Sequence, residues 1–132
     1  MTDLLIDAAI AARRRGYAPY SRFLVGAALK CDDGSVHAGC NVENAAYPQG
    51  VCAEAGAISA MVLNGGRRIT EVVIAGGNAR PCPPCGGCRQ KIREFAAPET
   101  IIRMVDAEGT LLMQSTLEAL LPHSFGPEDL GF

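Results

Sequence analysis

Three cysteines limit what this chain can fold into. Cys85 and Cys88 form a Cys-X-X-Cys pair flanked by proline and glycine, and Cys52 opens a Cys-Ala-Glu sequence far upstream. Thiols in this pattern are typical of a zinc site that the fold must assemble from separate segments. A structural zinc ion takes four protein ligands, whereas a catalytic zinc ion keeps one position open for water. Three cysteines close to the carboxylate of Glu54 therefore favour a catalytic site.

The spacing alone leaves other interpretations of the cysteines open. The thiols could be free, or the Cys-X-X-Cys pair could serve redox chemistry. A closed structural site would need a fourth ligand, for which the sequence offers Cys31, His37, Cys40 and Cys82. Because Cys82 forms a second Cys-X-X-Cys pair with Cys85, the identity of the ligands is ambiguous at this point.

The composition indicates one compact domain over residues 1–132. The chain is 48% hydrophobic and 20% charged, which is typical of a globule with its own core. No apolar run approaches the roughly 20 residues of a membrane span, and the acidic residues near the N-terminus are unlike a signal peptide. Six cysteines without an export signal favour a reducing compartment, and we expect the cytoplasm. A net charge of −2 argues against a nucleic-acid partner, which would favour a basic face.

The hydrophobic pattern alternates between strands and helices. It predicts helices over 2–16, 52–63 and 86–95. Thr2 is the predicted N-cap of the first helix, and Gly16 is its predicted end. A fourth, short helix is predicted to be capped by Ser115 or Thr116 and to run through Leu121. It predicts strands over 23–29, 36–42, 69–75, 100–105 and 111–113, with a hairpin turn at 32–35. This alternation is typical of an α/β protein with parallel crossover connections.

The predicted order of elements brings the cysteines together. Cys52 begins one helix, Cys85 and Cys88 begin another, and both helices follow strands expected to run parallel in one sheet. Their N-termini then emerge at one sheet edge, where α/β proteins bind ligands, and the helix dipoles favour thiolates. Cys52 and Glu54 would lie about 200° apart around a helix axis, so they could converge only over its open N-terminal end.

Two polar residues follow one of the predicted strands. Asn41 and Glu43 are two positions apart in an extended segment, so their side chains point the same way. They would either hold a diol or cap each other.

Five stretches in order resemble the small, homo-oligomeric, zinc-dependent cytidine deaminases over nearly the whole chain. They are 20–28 (YSRFLVGAA), 39–44 (GCNVEN), 52–54 (CAE), 84–90 (PCGGCRQ) and 120–127 (LLPHSFGP). The resemblance implies a three-layer α/β/α sandwich with a mixed five-stranded sheet. It also implies a homotetramer with shared active sites, one Zn²⁺ per subunit, and hydrolytic deamination of cytidine and deoxycytidine in pyrimidine salvage.

The resemblance assigns a role to each motif. Cys52, Cys85 and Cys88 would bind zinc, and Glu54 would shuttle protons. The residues that would contact the substrate are Asn41 and Glu43 at the ribose hydroxyls, Phe23 and Ala53 in the pocket, Tyr47 near a subunit boundary, and Phe125 stacked on the pyrimidine from a neighbouring subunit.

One position departs from the family pattern. Many members carry an arginine directly after the catalytic glutamate, where it bonds the thiolates, but Ala55 stands here. Arg89 or Gln90 could supply the missing donor.

Two rival functions are compatible with the zinc motifs. A related deaminase acting on a nucleoside such as blasticidin S would share them, and so would a zinc-stabilised binding module without activity. The chain has no glycine-rich phosphate loop with lysine, so a free nucleoside fits better than a nucleotide or a polymer.

Overall fold

A mixed five-stranded sheet forms the middle layer of the molecule, seen in a computed structural model that describes residues 3–132. The strands are β1 (Gly26–Cys31), β2 (Val36–Cys40), β3 (Ile69–Ala75), β4 (Ala96–Val105) and β5 (Leu111–Thr116). Their order across the sheet is β2-β1-β3-β4-β5. β3 and β4 pair in parallel, and the other neighbours pair antiparallel.

Helices cover both faces of this sheet. They are α1 (Leu4–Arg13), α2 (Ala53–Leu63), α3 (Gly86–Arg93) and α4 (Leu117–Leu120), with short 3-10 turns at Tyr47–Gln49 and Pro127–Leu130. α1 packs on one face, and α2, α3 and α4 pack on the other. This arrangement confirms the predicted α/β/α sandwich. None of the helices within residues 3–132 has the length and apolar character needed to traverse a bilayer.

The central strands are apolar on both sides because both sides are covered. In β3, Val72 and Ile74 belong to the core beneath α2, whereas Val73 and Ala75 belong to the core beneath α1. All four residues are fully buried. A continuous apolar run is what a strand covered on two faces requires.

Two glycines let α1 and α2 approach the sheet closely from opposite faces. A Cβ on Gly26 would lie 2.1 Å from the carbonyl oxygen of Ala9 in α1. A Cβ on Gly39 would lie 2.3 Å from the amide nitrogen of Ala57 in α2. Because both contacts are with backbone atoms, no side-chain rotation could relieve them. The position of α2 on β1 and β2 therefore depends on the missing side chain at position 39.

The first helix is shorter than the predicted span 2–16. The side chain of Asp3 caps it by accepting hydrogen bonds from two backbone N–H groups of the first turn, each at 3.1 Å. Thr2, the predicted cap, lies outside the described residues. The helix ends at Arg13, and Gly16 follows in a turn after it.

Other predicted elements are confirmed with shifted ends. β3 has the predicted bounds, α2 starts one residue later than predicted, and Thr116 is confirmed as the N-cap of α4. β1 begins at Gly26 rather than 23, since the preceding loop bonds distant side chains instead of a strand. β4 begins at Ala96 rather than 100. The sequence prediction starts too late because Pro98 and Glu99, which lie within the strand, interrupt its apolar pattern. The remaining shifts are that β1 ends at Cys31 rather than 29, β2 at Cys40 rather than 42, α3 at Arg93 rather than 95, β5 at Thr116 rather than 113 and α4 at Leu120 rather than 121.

Candidate metal centre and active site

Three cysteine sulfurs come together where two helices begin. The Sγ atoms of Cys52, Cys85 and Cys88 lie within 4.8 Å of one another. Cys52 is the N-cap of α2, and Cys85 is the N-cap of α3. The strands before these helices, β2 and β3, both run antiparallel to β1, which lies between them. The helix starts therefore emerge at the same sheet edge, as the sequence predicts.

The donor set fits a zinc ion. Zn–S bonds of about 2.3 Å in tetrahedral geometry place ligand sulfurs roughly 3.8 Å apart. The three sulfurs already lie within 4.8 Å of one another, so small side-chain movements would complete the site. Three protein ligands leave one tetrahedral position for water or substrate, as in catalytic zinc sites.

A fourth protein ligand does not join this cluster within residues 3–132. The candidates for a closed site, Cys31, His37, Cys40 and Cys82, all lie outside the group whose ligand atoms are within reach of one another. The choice between the two Cys-X-X-Cys pairs therefore falls on Cys85 with Cys88. Cys82 instead lines the cavity beside the cluster.

The carboxyl group of Glu54 is buried next to the sulfurs. Glu54 is 5% exposed in the first turn of α2, and burial raises the pKa of its carboxyl group. The positions of Cys52 and Glu54 at the start of α2 agree with the prediction that they converge over the open N-terminal end of the helix. Cys52 has extended backbone angles, φ −74° and ψ 154°, and lies just outside the helix. Both residues consequently line one cavity.

The surroundings shift the pKa values of the three thiols in different directions. The backbone N–H of Cys88 lowers the pKa of the Cys85 thiol, whereas burial raises the pKa of Cys52 and of Cys88. The predicted preference for thiolate at the helix N-termini is therefore met at Cys85 alone among the three. A bound cation would supply the charge that lets all three sulfurs ionise.

A cavity of about 610 Å³ opens beside the sulfurs. This volume lies within the range of about 300–1,000 Å³ that small-molecule sites occupy. Its walls include seven of the residues proposed from the sequence: Asn41, Glu43, Tyr47, Cys52, Ala53, Glu54 and Cys85. The geometry thus gathers most of the predicted substrate contacts around the candidate metal centre.

Asn41 is held by the backbone of the loop that precedes β1. Its Oδ1 accepts a hydrogen bond from the N–H of Val25 at 2.9 Å, and its Nδ2 donates to the carbonyl oxygen of Phe23 at 2.8 Å. An amide group offers two donors and two acceptor lone pairs, so one of each stays available. The side chain is oriented with bonding capacity left for a ligand.

Glu43 is held by the same loop. Its Oε1 accepts hydrogen bonds from the N–H groups of Tyr20 at 2.9 Å and Ser21 at 3.1 Å, and its Oε2 accepts one from the Ser21 hydroxyl. The Ser21 hydroxyl is the main reason that the pKa of Glu43 lies below its usual range. Asn41 and Glu43 bond this loop, so the alternative in which they cap each other is wrong.

Sequence reasoning missed several residues of the cavity wall, among them Tyr20, Ser21 and Cys82. Tyr20 packs edge-on against Tyr47, with ring centroids 6.2 Å apart. Ser21 orients Glu43, and Cys82 lines the wall next to Cys85. The signal for Ser21 was its place in the 20–28 stretch that carries the family resemblance, just before the predicted strand 23–29.

The two phenylalanines lie away from the cavity of their own chain. Phe23 is half-buried, and its ring lies 3.8 Å from where a Cβ on Gly76 would be. Phe125 is 58% exposed. Neither of them lines the cavity. A substrate contact by Phe125 would therefore have to reach the cavity of another chain or follow a movement of this one.

The proposed replacements for the missing arginine are occupied elsewhere. Arg89 donates to the carbonyl oxygens of Pro84 at 2.7 Å and Leu120 at 2.8 Å. Gln90 donates to the carbonyl oxygen of Phe125 at 2.9 Å. These bonds fix the segments around the site, and they give no support to the idea that either side chain bonds the thiolates.

Known proteins share both the sequence motifs and the fold. Residues 2–104 match the family model of the cytidine and deoxycytidylate deaminase zinc-binding region. A cytidine deaminase of Halalkalibacterium halodurans is 41% identical over 97% of this chain and 96% of the relative.

Two solved structures are similar to this chain in both sequence and fold. The crystal structure of a cytidine deaminase from Burkholderia pseudomallei is 41% identical, with a TM-score of 0.86, over 95% of this chain and 100% of that chain. A cytidine deaminase structure from Mycobacterium leprae is 43% identical, with a TM-score of 0.79, over 92% of this chain and 97% of that chain. Fold and site together define an α/β protein with a three-cysteine zinc centre. The chain belongs to the cytidine and deoxycytidylate deaminase zinc-binding family.

Proposed function

We propose that this protein hydrolyses the exocyclic amine of cytidine and deoxycytidine, giving uridine or deoxyuridine and ammonia. The observation that carries the proposal is the buried carboxyl group of Glu54, which lines the same cavity as Cys52 and Cys85. A proton carrier beside three metal-ligating sulfurs is the arrangement that zinc nucleobase deaminases use.

The proposed roles follow from where each group lies. Cys52, Cys85 and Cys88 would hold one zinc ion, which when bound supplies a Lewis acid that acidifies water. Glu54 would act as the proton carrier, because its carboxyl group is shielded from solvent and faces the cavity.

The proton transfers balance with a single carboxyl group. Glu54 takes one proton from the attacking water and delivers it to N3 of the pyrimidine, while the water oxygen forms a bond to C4. Glu54 then moves the second proton of that water to the exocyclic nitrogen as the C4–N4 bond breaks. N3 keeps its proton, and ammonia leaves with the other.

The ribose would be recognised by Asn41 and Glu43. Both are fixed by the loop before β1, and both keep hydrogen-bonding capacity toward the cavity. A carboxylate and an amide in fixed positions suit the two hydroxyls of a ribose, and Ala53 and Tyr47 complete the wall.

We propose that the active protein is a homotetramer in which Phe125 stacks on the pyrimidine bound to a neighbouring subunit. The ring of Phe125 is 58% exposed, and Tyr47 at the cavity mouth is 78% exposed. Large exposed aromatic rings are enriched at protein interfaces. Phe23 would support the pocket from behind the loop.

The proposed setting is pyrimidine salvage in the cytoplasm. All six cysteines are free thiols in the structure, and three of them must stay reduced to bind metal. A free nucleoside is the proposed substrate, and no nucleic acid or membrane partner is proposed. The relatives reported above are cytidine deaminases, which disfavours blasticidin S as the substrate.

Glu54→Gln tests the proposal. The amide preserves the volume of the side chain but cannot carry the proton, so kcat should fall by about 10²-fold or more while zinc content stays unchanged. Turnover is measured as the loss of cytidine absorbance and as released ammonia, with zinc counted in the same preparation. Deoxycytidine, blasticidin S and cytidine monophosphate are assayed alongside cytidine.

Two results would contradict the proposal. One is near-normal turnover in the Glu54→Gln protein. The other is a fully zinc-loaded wild-type protein that releases no ammonia from cytidine, which would favour a zinc-stabilised binding module instead.

A further inference from the structure

The segment that carries Phe125 is attached to the metal-bearing helix α3. Residues 120–128 lie along α3. Three side chains of this helix, Arg89, Gln90 and Arg93, each form a hydrogen bond to the segment. Arg89 reaches the carbonyl oxygen of Leu120, and Gln90 reaches that of Phe125. The same short helix therefore provides Cys88 to the metal cluster and a seat for the segment.

Arg93 holds this segment on both sides of Phe125. Its Nε donates to the Ser124 hydroxyl at 2.8 Å, and its Nη2 pairs with the carboxylate of Glu128. The side chain of Arg93 is only 16% exposed. A guanidinium group bonded through two separate nitrogens fixes direction as well as distance, which an ammonium group cannot do.

Gly126 shows how closely the segment fits Arg93. A Cβ at position 126 would lie 2.5 Å from the guanidinium carbon and nitrogens. The backbone directly after Phe125 therefore rests against the guanidinium plane. Just before Ser124, His123 has a φ of 51°, in the left-handed region that non-glycine residues rarely adopt. The segment turns there, directly before the residues that Arg93 bonds.

The aromatic ring itself has little to hold it within the chain. Phe125 is 58% exposed, so packing does not fix where the ring projects. Its direction is set by the segment, in which the Phe125 carbonyl oxygen accepts a hydrogen bond from Gln90 and the side chains of Ser124 and Glu128 bond Arg93.

We infer that Arg93 is a positioning residue, which aims Phe125 at the pyrimidine bound to the neighbouring subunit. The inference rests on the proposed function and on the proposed role of Phe125. Arg93 would touch neither substrate nor metal, and it would act on substrate binding through the segment it holds.

Arg93→Met is the primary test, because it keeps the apolar stem and removes the guanidinium group. We expect KM for cytidine to rise about five- to tenfold, while kcat at saturation and zinc content stay within about twofold of the wild type. Arg93→Lys keeps a charge for Glu128 and should recover part of the loss.

A double-mutant cycle separates positioning from general stability. In a Phe125→Ala background there is no ring left to aim, so Arg93→Met should change KM by less than about twofold further. If the two effects multiply, Arg93 does not act through Phe125 and the inference fails.

Arg103 is the matched control. Its side chain is also 16% exposed and also pairs with acidic residues, Asp3 and Glu71, but on the opposite face of the sheet. Arg103→Met should lower the midpoint of urea unfolding and leave KM unchanged. Equal KM values in Arg93→Met and Arg103→Met would overturn the inference.

A further variant covers the case in which Arg93→Met does not fold. Ser124→Ala combined with Glu128→Ala leaves the arginine in place and removes both of its partners, so it should raise KM in the same way. Unchanged KM in that protein would also overturn the inference. A wild-type protein with zinc bound and no cytidine turnover would instead refute the proposed function.

Discussion

Gly39→Ala should displace the helix that carries one of the metal ligands. The added Cβ would lie 2.3 Å from the amide nitrogen of Ala57, 2.6 Å from the carbonyl oxygen of Ala53 and 2.6 Å from the carbonyl carbon of Gly56. Optimal contacts between such atoms are about 3.5–4.0 Å, so α2 must move away from β2 by about 1 Å.

The magnitude follows from that displacement. Overpacking of a core costs about 1–3 kcal/mol, and contacts with backbone atoms place this substitution at the upper end. The lower chain entropy of alanine in the unfolded state returns about 0.4–1 kcal/mol. We expect a net loss of about 2 kcal/mol. A shift of about 1 Å also exceeds the tolerance of about 0.2 Å on metal–ligand distances, so zinc affinity should fall about tenfold or more.

Gly56→Ala is the matched control. A Cβ there meets its nearest atoms at 3.6–3.8 Å, which is ordinary contact. Alanine is also favoured over glycine within a helix by about 0.8–1.0 kcal/mol. Urea unfolding of the metal-free proteins gives the stabilities, and competition with a chromophoric chelator gives the zinc affinities. The reasoning is refuted if Gly39→Ala matches the wild type in both measurements, or if both alanines are equally harmful.

Three more outcomes are expected. Asp3→Ala should cost about 1 kcal/mol through loss of the α1 cap. The hydrogen bond from Arg103 lowers the pKa of Asp3, so its stabilisation is complete above the ordinary value of 3.8 and disappears as the pH falls through the lower folded value. Urea titrations at several pH values should therefore show the gap between variant and wild type narrowing below pH 3.8, and a constant gap would contradict this. Asn41→Asp keeps the acceptor for the Val25 N–H but loses the donor to the Phe23 carbonyl oxygen. It should destabilise the protein by about 1–3 kcal/mol and raise KM, and unchanged values in both assays would argue against the clamp. Removal of zinc by a chelator should abolish turnover and lower Tm reversibly, by the equivalent of about 4 kcal/mol at free zinc 1,000-fold above Kd. Calorimetry with and without added zinc measures this shift, and an equal Tm in both samples would contradict the prediction.

The metal centre could be predicted from the sequence because its parts are local. Cys52 and Cys85 are helix caps, and Pro84 and Gly86 on either side of Cys85 mark the start of its helix. The order of strands and helices then places both starts at one edge. Only the choice of Cys88 over Cys82 required the family resemblance, and the distances support that choice.

The substrate wall could not be predicted in the same way because its contacts are distant in sequence. Tyr20 and Ser21 acquire their positions from Glu43, and Phe23 and Val25 acquire theirs from Asn41. Such side-chain bonds to a loop backbone leave no periodic pattern. For the same reason the sequence pattern placed the start of β1 at 23, within the loop that precedes the strand. The packing of residues 120–128 on α3 likewise had no local sequence signal.

The metal ligands lie on helices that pack on strands of different stability. Cys52 caps the helix that lies over the edge strand β2, whereas Cys85 and Cys88 belong to the helix that follows the central strand β3. Edge hairpins open more readily than central strands. Each opening of the β1–β2 hairpin would release α2 and its Cys52, and the bound zinc ion would then have two sulfur ligands instead of three. Zinc should consequently slow amide hydrogen exchange in the β1–β2 hairpin far more than in β4–β5, which makes that hairpin the gate for metal loss.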